Sequence, residues 1–223
     1  ACSAYLSHFF PSLNPDKAMI TIGSGPMAIK AGGAQILIFV IVTLFSALNI
    51  FGVKWSGQVQ TWLTGSKVVI ILAFIILGLT VGKGDRGNFS QTTERWSPQT
   101  PMPAQFALSL FWVYVGYSGW NAATYVAEEL KNPSKTLPMA LAIGTSFVAV
   151  LFLLLNVVFI YASPVGVLKG VLAVGTLSAK RLFGEGAAGV FRVLMALSLL
   201  ATVNSMVTVG PRVYYAMARN GAF

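Results

Sequence analysis

The string Gly116-Tyr117-Ser118-Gly119-Trp120-Asn121 lies inside an apolar, aromatic run that opens at Phe111-Trp112 and closes on Glu128-Glu129-Leu130-Lys131-Asn132-Pro133. Its chemistry would be that of the backbone. A glycine, a hydroxyl and a second glycine at the centre of a membrane-length helix invite the chain to unwind, which frees N–H and C=O groups to bind something else. In hydrocarbon each such group without a partner costs several kcal/mol, so a break at that depth is tolerated only where it is buried in protein or lines a cavity. A cavity at mid-membrane is a binding site. Two glycines three residues apart also suit close helix packing with no break at all, and spacing alone leaves both readings open.

Lys67 is the second chemical group. It falls roughly ten residues into an apolar span, about 15 Å deep at 1.5 Å per residue and therefore near the midplane. A charge there costs at least ~2.5–3.5 kcal/mol on insertion scales, which makes it a functional candidate by default. It could carry a proton, or stand as a fixed cation where another protein would hold a metal ion. The alternative is a side chain that snorkels to the interface. Thr202 and Ser205, three apart and therefore on one helix face, could supply hydroxyls to such an ammonium, or could simply be small residues that let helices pack.

Elements that could position these groups follow from composition. Of 223 residues, 56% are hydrophobic and 9% charged, with mean hydropathy +0.74; soluble domains carry roughly one-quarter charged residues. The chain is an all-α integral membrane protein. Fifteen Lys and Arg against six Asp and Glu are scattered without a stripe, so they flank membrane segments and do not form a nucleic-acid surface. The single cysteine, Cys2, rules out an internal disulfide, and the lone His8 beside Phe9-Phe10-Pro11 reads as an interfacial residue. Nothing calls for a cofactor or a metal.

Runs long enough to span occur at about 34–53, 58–82, 103–130, 138–162 and 186–219, the third being the interrupted one. Ser56-Gly57 suits a turn between the first two spans, after an interface marked by Lys54 and Trp55. Residues 12–33 read as a polar connection in which Gly23-Ser24-Gly25 carries no function, and 83–102 as a polar loop whose Asn88-Phe89-Ser90 has only the form of a sequon. Asn156 could be interhelical glue or nothing, and 176–183 is a short amphipathic piece expected on the membrane surface. Both ends read as those of a fragment, the first eleven residues as the tail of a helix already under way. Charge weakly places the N-terminal segment in the cytoplasm.

The glycine-aromatic-small-glycine-Trp-Asn string, with its acidic pair, Asn132-Pro133 and Leu137-Pro138, resembles the amino acid–polyamine–organocation superfamily, most nearly the L-type amino acid transporters and their bacterial permease relatives. Gln60-Thr61-Trp62-Leu63-Thr64-Gly65-Ser66-Lys67 resembles that family's fifth helix, and Thr202-Val203-Asn204-Ser205 with Arg212 and Arg219-Asn220-Gly221 its eighth. The resemblance implies part of an inverted-repeat, LeuT-type bundle, family helices four to eight, with substrate bound at the midplane. It places the 83–102 loop outside and 131–137 inside, against the charge count, and a full motif match outweighs three charges.

It further implies that Gly116, Ser118 and Gly119 present free backbone to a substrate and that Tyr117 closes over it. Asn121 would face the site where some proton-coupled relatives carry glutamate. Lys67 would stand where sodium-driven relatives hold an ion, with Thr202 and Ser205 as its contacts. The absence of an acid in the break favours neutral amino acids. The expectation is secondary transport of neutral amino acids by exchange or proton coupling, not enzymatic, multi-pass in the plasma or inner membrane. Its partners would be an amino acid, the bilayer and the remaining helices of the transporter, with no nucleic acid and the accessory subunit undefined. The rival readings are transport of a polyamine or other organic cation, and a membrane enzyme or channel whose glycines only pack. No nucleophile, metal constellation or repeated pore motif supports the last.

Overall fold

A helix satisfies its own backbone within one segment, which is why apolar runs of this length become helices in a bilayer. The computed structural model describes residues 2–14, 17, 19–22, 29–50, 52–91 and 100–221. Within them lie α1 (Cys2–Leu6), α2 (Gly33–Ile50), α3 (Val53–Thr80), α4 (Met102–Gly116), a 3-10 segment (Trp120–Glu129), α5 (Pro133–Ala162), α6 (Val165–Leu168), α7 (Val174–Phe183) and α8 (Glu185–Arg219). Four helices, Gly33–Ile50, Trp55–Thr80, Pro133–Ala162 and Glu185–Arg219, are long and apolar enough to cross a membrane. The protein is a multi-pass, all-α membrane protein.

The third expected span, 103–130, is two pieces. At 15 residues, α4 reaches about 22 Å, short of the ~30 Å of hydrocarbon. Its axis stops at Gly116, residues 117–119 form a turn, and the chain continues as the ten-residue 3-10 segment, where an α-helix would have been the simplest continuation.

Three boundaries differ from the expected ones. Ser56 and Gly57 are helical, and the turn between α2 and α3 falls at Gly52, whose φ of 120° is a conformation glycine tolerates. Helix α5 begins at Pro133 and not near 138, because Pro133 suits a first helical turn that needs no N–H, and Pro138 sits early enough to be carried inside. The 12–33 connection contains two short antiparallel strands, β1 (Ile20–Ile22) and β2 (Ile29–Ala31), with Thr21 opposite Lys30. Gly23-Ser24-Gly25 lies outside the described residues.

Helix α8 is the central element, packing against α1, α2, α3, α7 and the 3-10 segment. The apolar core gathers Phe74 and Ile75 of α3, Leu151 and Val158 of α5, Leu182 of α7 and Phe191 of α8. Phe74 and Phe191 meet with ring centroids 4.8 Å apart. Against expectation, α7 gives its buried face, Thr176, Ser178, Ala179 and Leu182, to α5 and α8 and only Lys180 and Arg181 to the outside. The loop after α3 is tied to this end: Lys83 N–H donates to Leu182 O at 3.0 Å and Asp85 N–H to Tyr161 O at 2.9 Å. Asn88 is buried and its Nδ2 donates to Tyr161 O at 3.1 Å, so the sequon-like triplet is a structural bracket. Among the described residues the Asn156 side chain bonds Phe152 O of its own helix, at 2.8 Å, and no other helix.

Candidate functional site at the broken helix

Gly119 makes the break. Its φ is 96°, a left-handed conformation that other residues adopt at a cost, and it turns the chain from α4 into the 3-10 segment. Tyr117 N–H still reaches Val113 O at 3.0 Å and Ser118 N–H reaches Val115 O at 3.1 Å, and the next turn begins with Ala122 N–H to Gly119 O at 3.0 Å. Between these, the carbonyls of Gly116, Tyr117 and Ser118 and the N–H groups of Gly119, Trp120 and Asn121 have no backbone partner among the described residues. Acceptors and donors thus lie side by side in one short stretch.

A side chain added at Gly116 or Gly119 would meet no atom of the described residues within 4 Å. Close packing among the described residues therefore does not explain either glycine, and the break is what the backbone shows. Beside it lies a cavity of about 310 Å³ between the break and α5. Gly116, Tyr117, Ser118 and Trp120 line one wall, and Gly144, Thr145 and Phe152 belong to the other. The Tyr117 ring stands edge-on to Phe152 at 5.6 Å, which holds its face against α5. Gly119 and Asn121 are not in this wall. Asn121 is exposed and donates from Nδ2 to the Tyr125 hydroxyl at 2.9 Å.

Away from the break, α3 and α8 face each other through polar groups. Lys67 Nζ donates to Thr202 Oγ1 at 3.3 Å. One helical face along, Gln60 joins both polar groups of the next α8 turn: its Oε1 accepts from Asn204 Nδ2 at 2.8 Å and its Nε2 donates to Ser205 Oγ at 2.6 Å. Ser205 is thus held by Gln60 and not by Lys67. Further along, the Thr208 hydroxyl spends its single proton on Asn49 Oδ1 at 3.0 Å, so Ser56, 3.0 Å away, must be the donor to Thr208. The Arg212 guanidinium returns to Thr208 O within the same helix.

Gln60 and Asn204 stood inside the family-like strings of α3 and α8 but were given no role of their own. A further signal was that Ser56, Gln60 and Lys67 recur at helical spacing on one face of α3. Replacing Gln60 with leucine is expected to lower the melting temperature of the purified protein, because it removes two interhelical bonds worth about 0.6–1.7 kcal/mol each and leaves the fully buried Asn204 without this partner. Unchanged melting would show that the seam contributes nothing.

The chain matches a family model described as amino acid permease over residues 1–223. This chain belongs to the amino acid permease family. It is similar to the human cystine/glutamate transporter, 31% identical over 182 residues, which are 81% of this chain and 35% of that protein. The mouse b(0,+)-type amino acid transporter 1 is 29% identical over 189 residues, 84% of this chain and 38% of its own length. The human large neutral amino acids transporter small subunit 2 is 28% identical over 190 residues, 85% of this chain and 35% of its own. The permease chain thus spans little more than a third of the curated relatives it matches.

Proposed function

We propose that this permease is a secondary transporter of amino acids that works by alternating access, with neutral amino acids as its preferred substrates, and that the break is its substrate site. The observation that carries this is the row of free carbonyls at Gly116, Tyr117 and Ser118 beside the free N–H groups of Gly119, Trp120 and Asn121. An amino acid offers an ammonium to the first set and a carboxylate to the second, and both are charge-assisted bonds of the stronger kind. Tyr117 closes the site from one side, and Asn121 contributes its backbone N–H, its side chain being engaged with the Tyr125 hydroxyl.

No Asp, Glu, Lys or Arg lies in the cavity wall, which leaves a side-chain space suited to neutral substrates. Overall identity does not choose among substrates, since relatives named for cystine and glutamate and for large neutral amino acids are 31% and 28% identical to this chain. The Lys67–Thr202 pair couples movement of α3 against α8 to the transport cycle, with Ser205 held next to it by Gln60.

Proteoliposomes of the full-length protein should take up labelled leucine and alanine in preference to arginine and glutamate. Acceleration by leucine loaded inside identifies exchange, and acceleration by an inward proton gradient identifies proton coupling. Uptake confined to arginine or glutamate would overturn the neutral assignment; no uptake of any amino acid by folded protein would overturn transport.

A further inference from the structure

A second cavity of about 290 Å³ lies between α3, α5, α7 and α8 and shares no lining residue with the first. Its wall is mostly apolar and aromatic: Phe74, Phe159, Phe191 and Met195. Lys67 also lines it, and Ser198 adds a hydroxyl one helical turn before Thr202. An ammonium carries three donors, of which Lys67 uses one, on Thr202. No acidic side chain among the described residues pairs with it; the ion pair found there joins Lys180 and Glu185. The Ser198 hydroxyl likewise makes no hydrogen bond among the described residues.

A cation at the edge of an apolar cavity with no acidic partner among the described residues is half of an ion pair. Taking a lone charge out of water is strongly unfavourable, and a partner of opposite charge with good hydrogen bonds offsets much of that penalty. We propose that this cavity binds a compact aryl or branched-alkyl monocarboxylic acid, its carboxylate on Lys67 and Ser198 and its apolar body among Phe74, Phe159 and Phe191. The volume decides the size: ligand pockets run from about 300 to 1,000 Å³, so this one holds an aryl acid and not a long acyl chain. Aromatic rings suit an aryl body because edge and face carry opposite partial charge, as the tilted Phe74–Phe191 pair already shows. This site is independent of what the break binds, and an acid held there would occupy the donors of Lys67 and restrain α3 against α8.

The test is calorimetric titration of the purified full-length protein with 3-phenylpropanoate and with 3-phenylpropan-1-ol, which shares its body but not its charge. The acid is expected to bind about ten- to a hundredfold more tightly than the alcohol, the range for a hydrogen bond to a charged group. Lys67→Met should bring the acid down to the level of the alcohol and leave the alcohol unchanged. Met195→Trp should fill the cavity and remove both, with the melting temperature confirming a folded variant. Saturating leucine should not displace the acid. Equal binding of acid and alcohol by the unsubstituted protein, or acid binding that survives Lys67→Met, would overturn the proposal; displacement by leucine would move the acid to the break and overturn it too. Because the readout is binding, loss of transport would leave this result standing, and loss of acid binding would leave the transport reading standing.

Discussion

Replacing Gly119 with valine is expected to cut amino acid uptake by about five- to a hundred-and-fiftyfold while leaving the protein folded. The factor is the conversion of the ~1–3 kcal/mol that a non-glycine residue incurs in a sparsely populated backbone conformation. At φ 96° the valine Cβ meets no described atom within 4 Å, so the cost is backbone strain and not a clash. The chain relieves that strain by winding residues 117–119 back into helix, and the free carbonyls and N–H groups then disappear into intrahelical bonds. Asparagine tolerates positive φ better than valine, so Gly119→Asn should lose less. Gly116 is the control. It is the last residue of α4, with open space beside it, so Gly116→Ala should leave the melting temperature unchanged or raised by the helix preference of alanine, at most about 1 kcal/mol. Initial-rate uptake at several leucine concentrations, with thermal melting in parallel, measures both. Wild-type uptake by the valine variant would remove the break from the mechanism.

Lys67→Met should separate stability from function. Removing a charge from the span relieves an insertion cost of roughly 2.5–3.5 kcal/mol, against which the lost bond to Thr202 weighs about 1.5–3 kcal/mol. Melting should therefore stay level or rise. Uptake should fall at least about tenfold, because a coupling of even 1.4 kcal/mol between the pair and the cycle is a factor of ten. Thr202→Val removes the same bond from the other side and leaves the ammonium without its acceptor, so it should be destabilising as well as slow. In the double variant the two transport defects should not add, since both remove one interaction. Additive defects would mean that the two residues act apart, whatever their 3.3 Å separation.

The Gln60 clamp, which takes Ser205 while Thr202 meets Lys67 as expected, also shows where sequence reading stops. Apolar runs, their lengths and the breakers inside them are local properties, because a bilayer forces each segment to satisfy its own backbone. So the helices α2, α3, α5 and α8 could be read from the chain, and a break around Gly116–Gly119 as one of two readings; that Gly119 is the residue taking the positive φ there came from the structure. Local signals were weaker at the ends. Ser56-Gly57 looked like a turn but is helix, since the glycine that takes the positive φ is Gly52; Pro138 looked like a start, but Pro133 serves better.

What only the tertiary structure decided depends on the rotation and depth of one helix against another. Ser205 and Thr202 share a face of α8, yet the first meets Gln60 and the second Lys67, because α3 runs past α8 and presents different residues at successive turns. The wall that α5 gives to the break, with Gly144, Thr145 and Phe152, has no sequence signature, since small and aromatic residues on a membrane helix serve packing equally well. The burial of α7 against α5 and α8 likewise could not be told from a surface helix by its amphipathic pattern, which is the same whether the apolar face meets lipid or protein. Hydrophobicity tells a membrane helix to exist; only the neighbouring helix tells it which side to show.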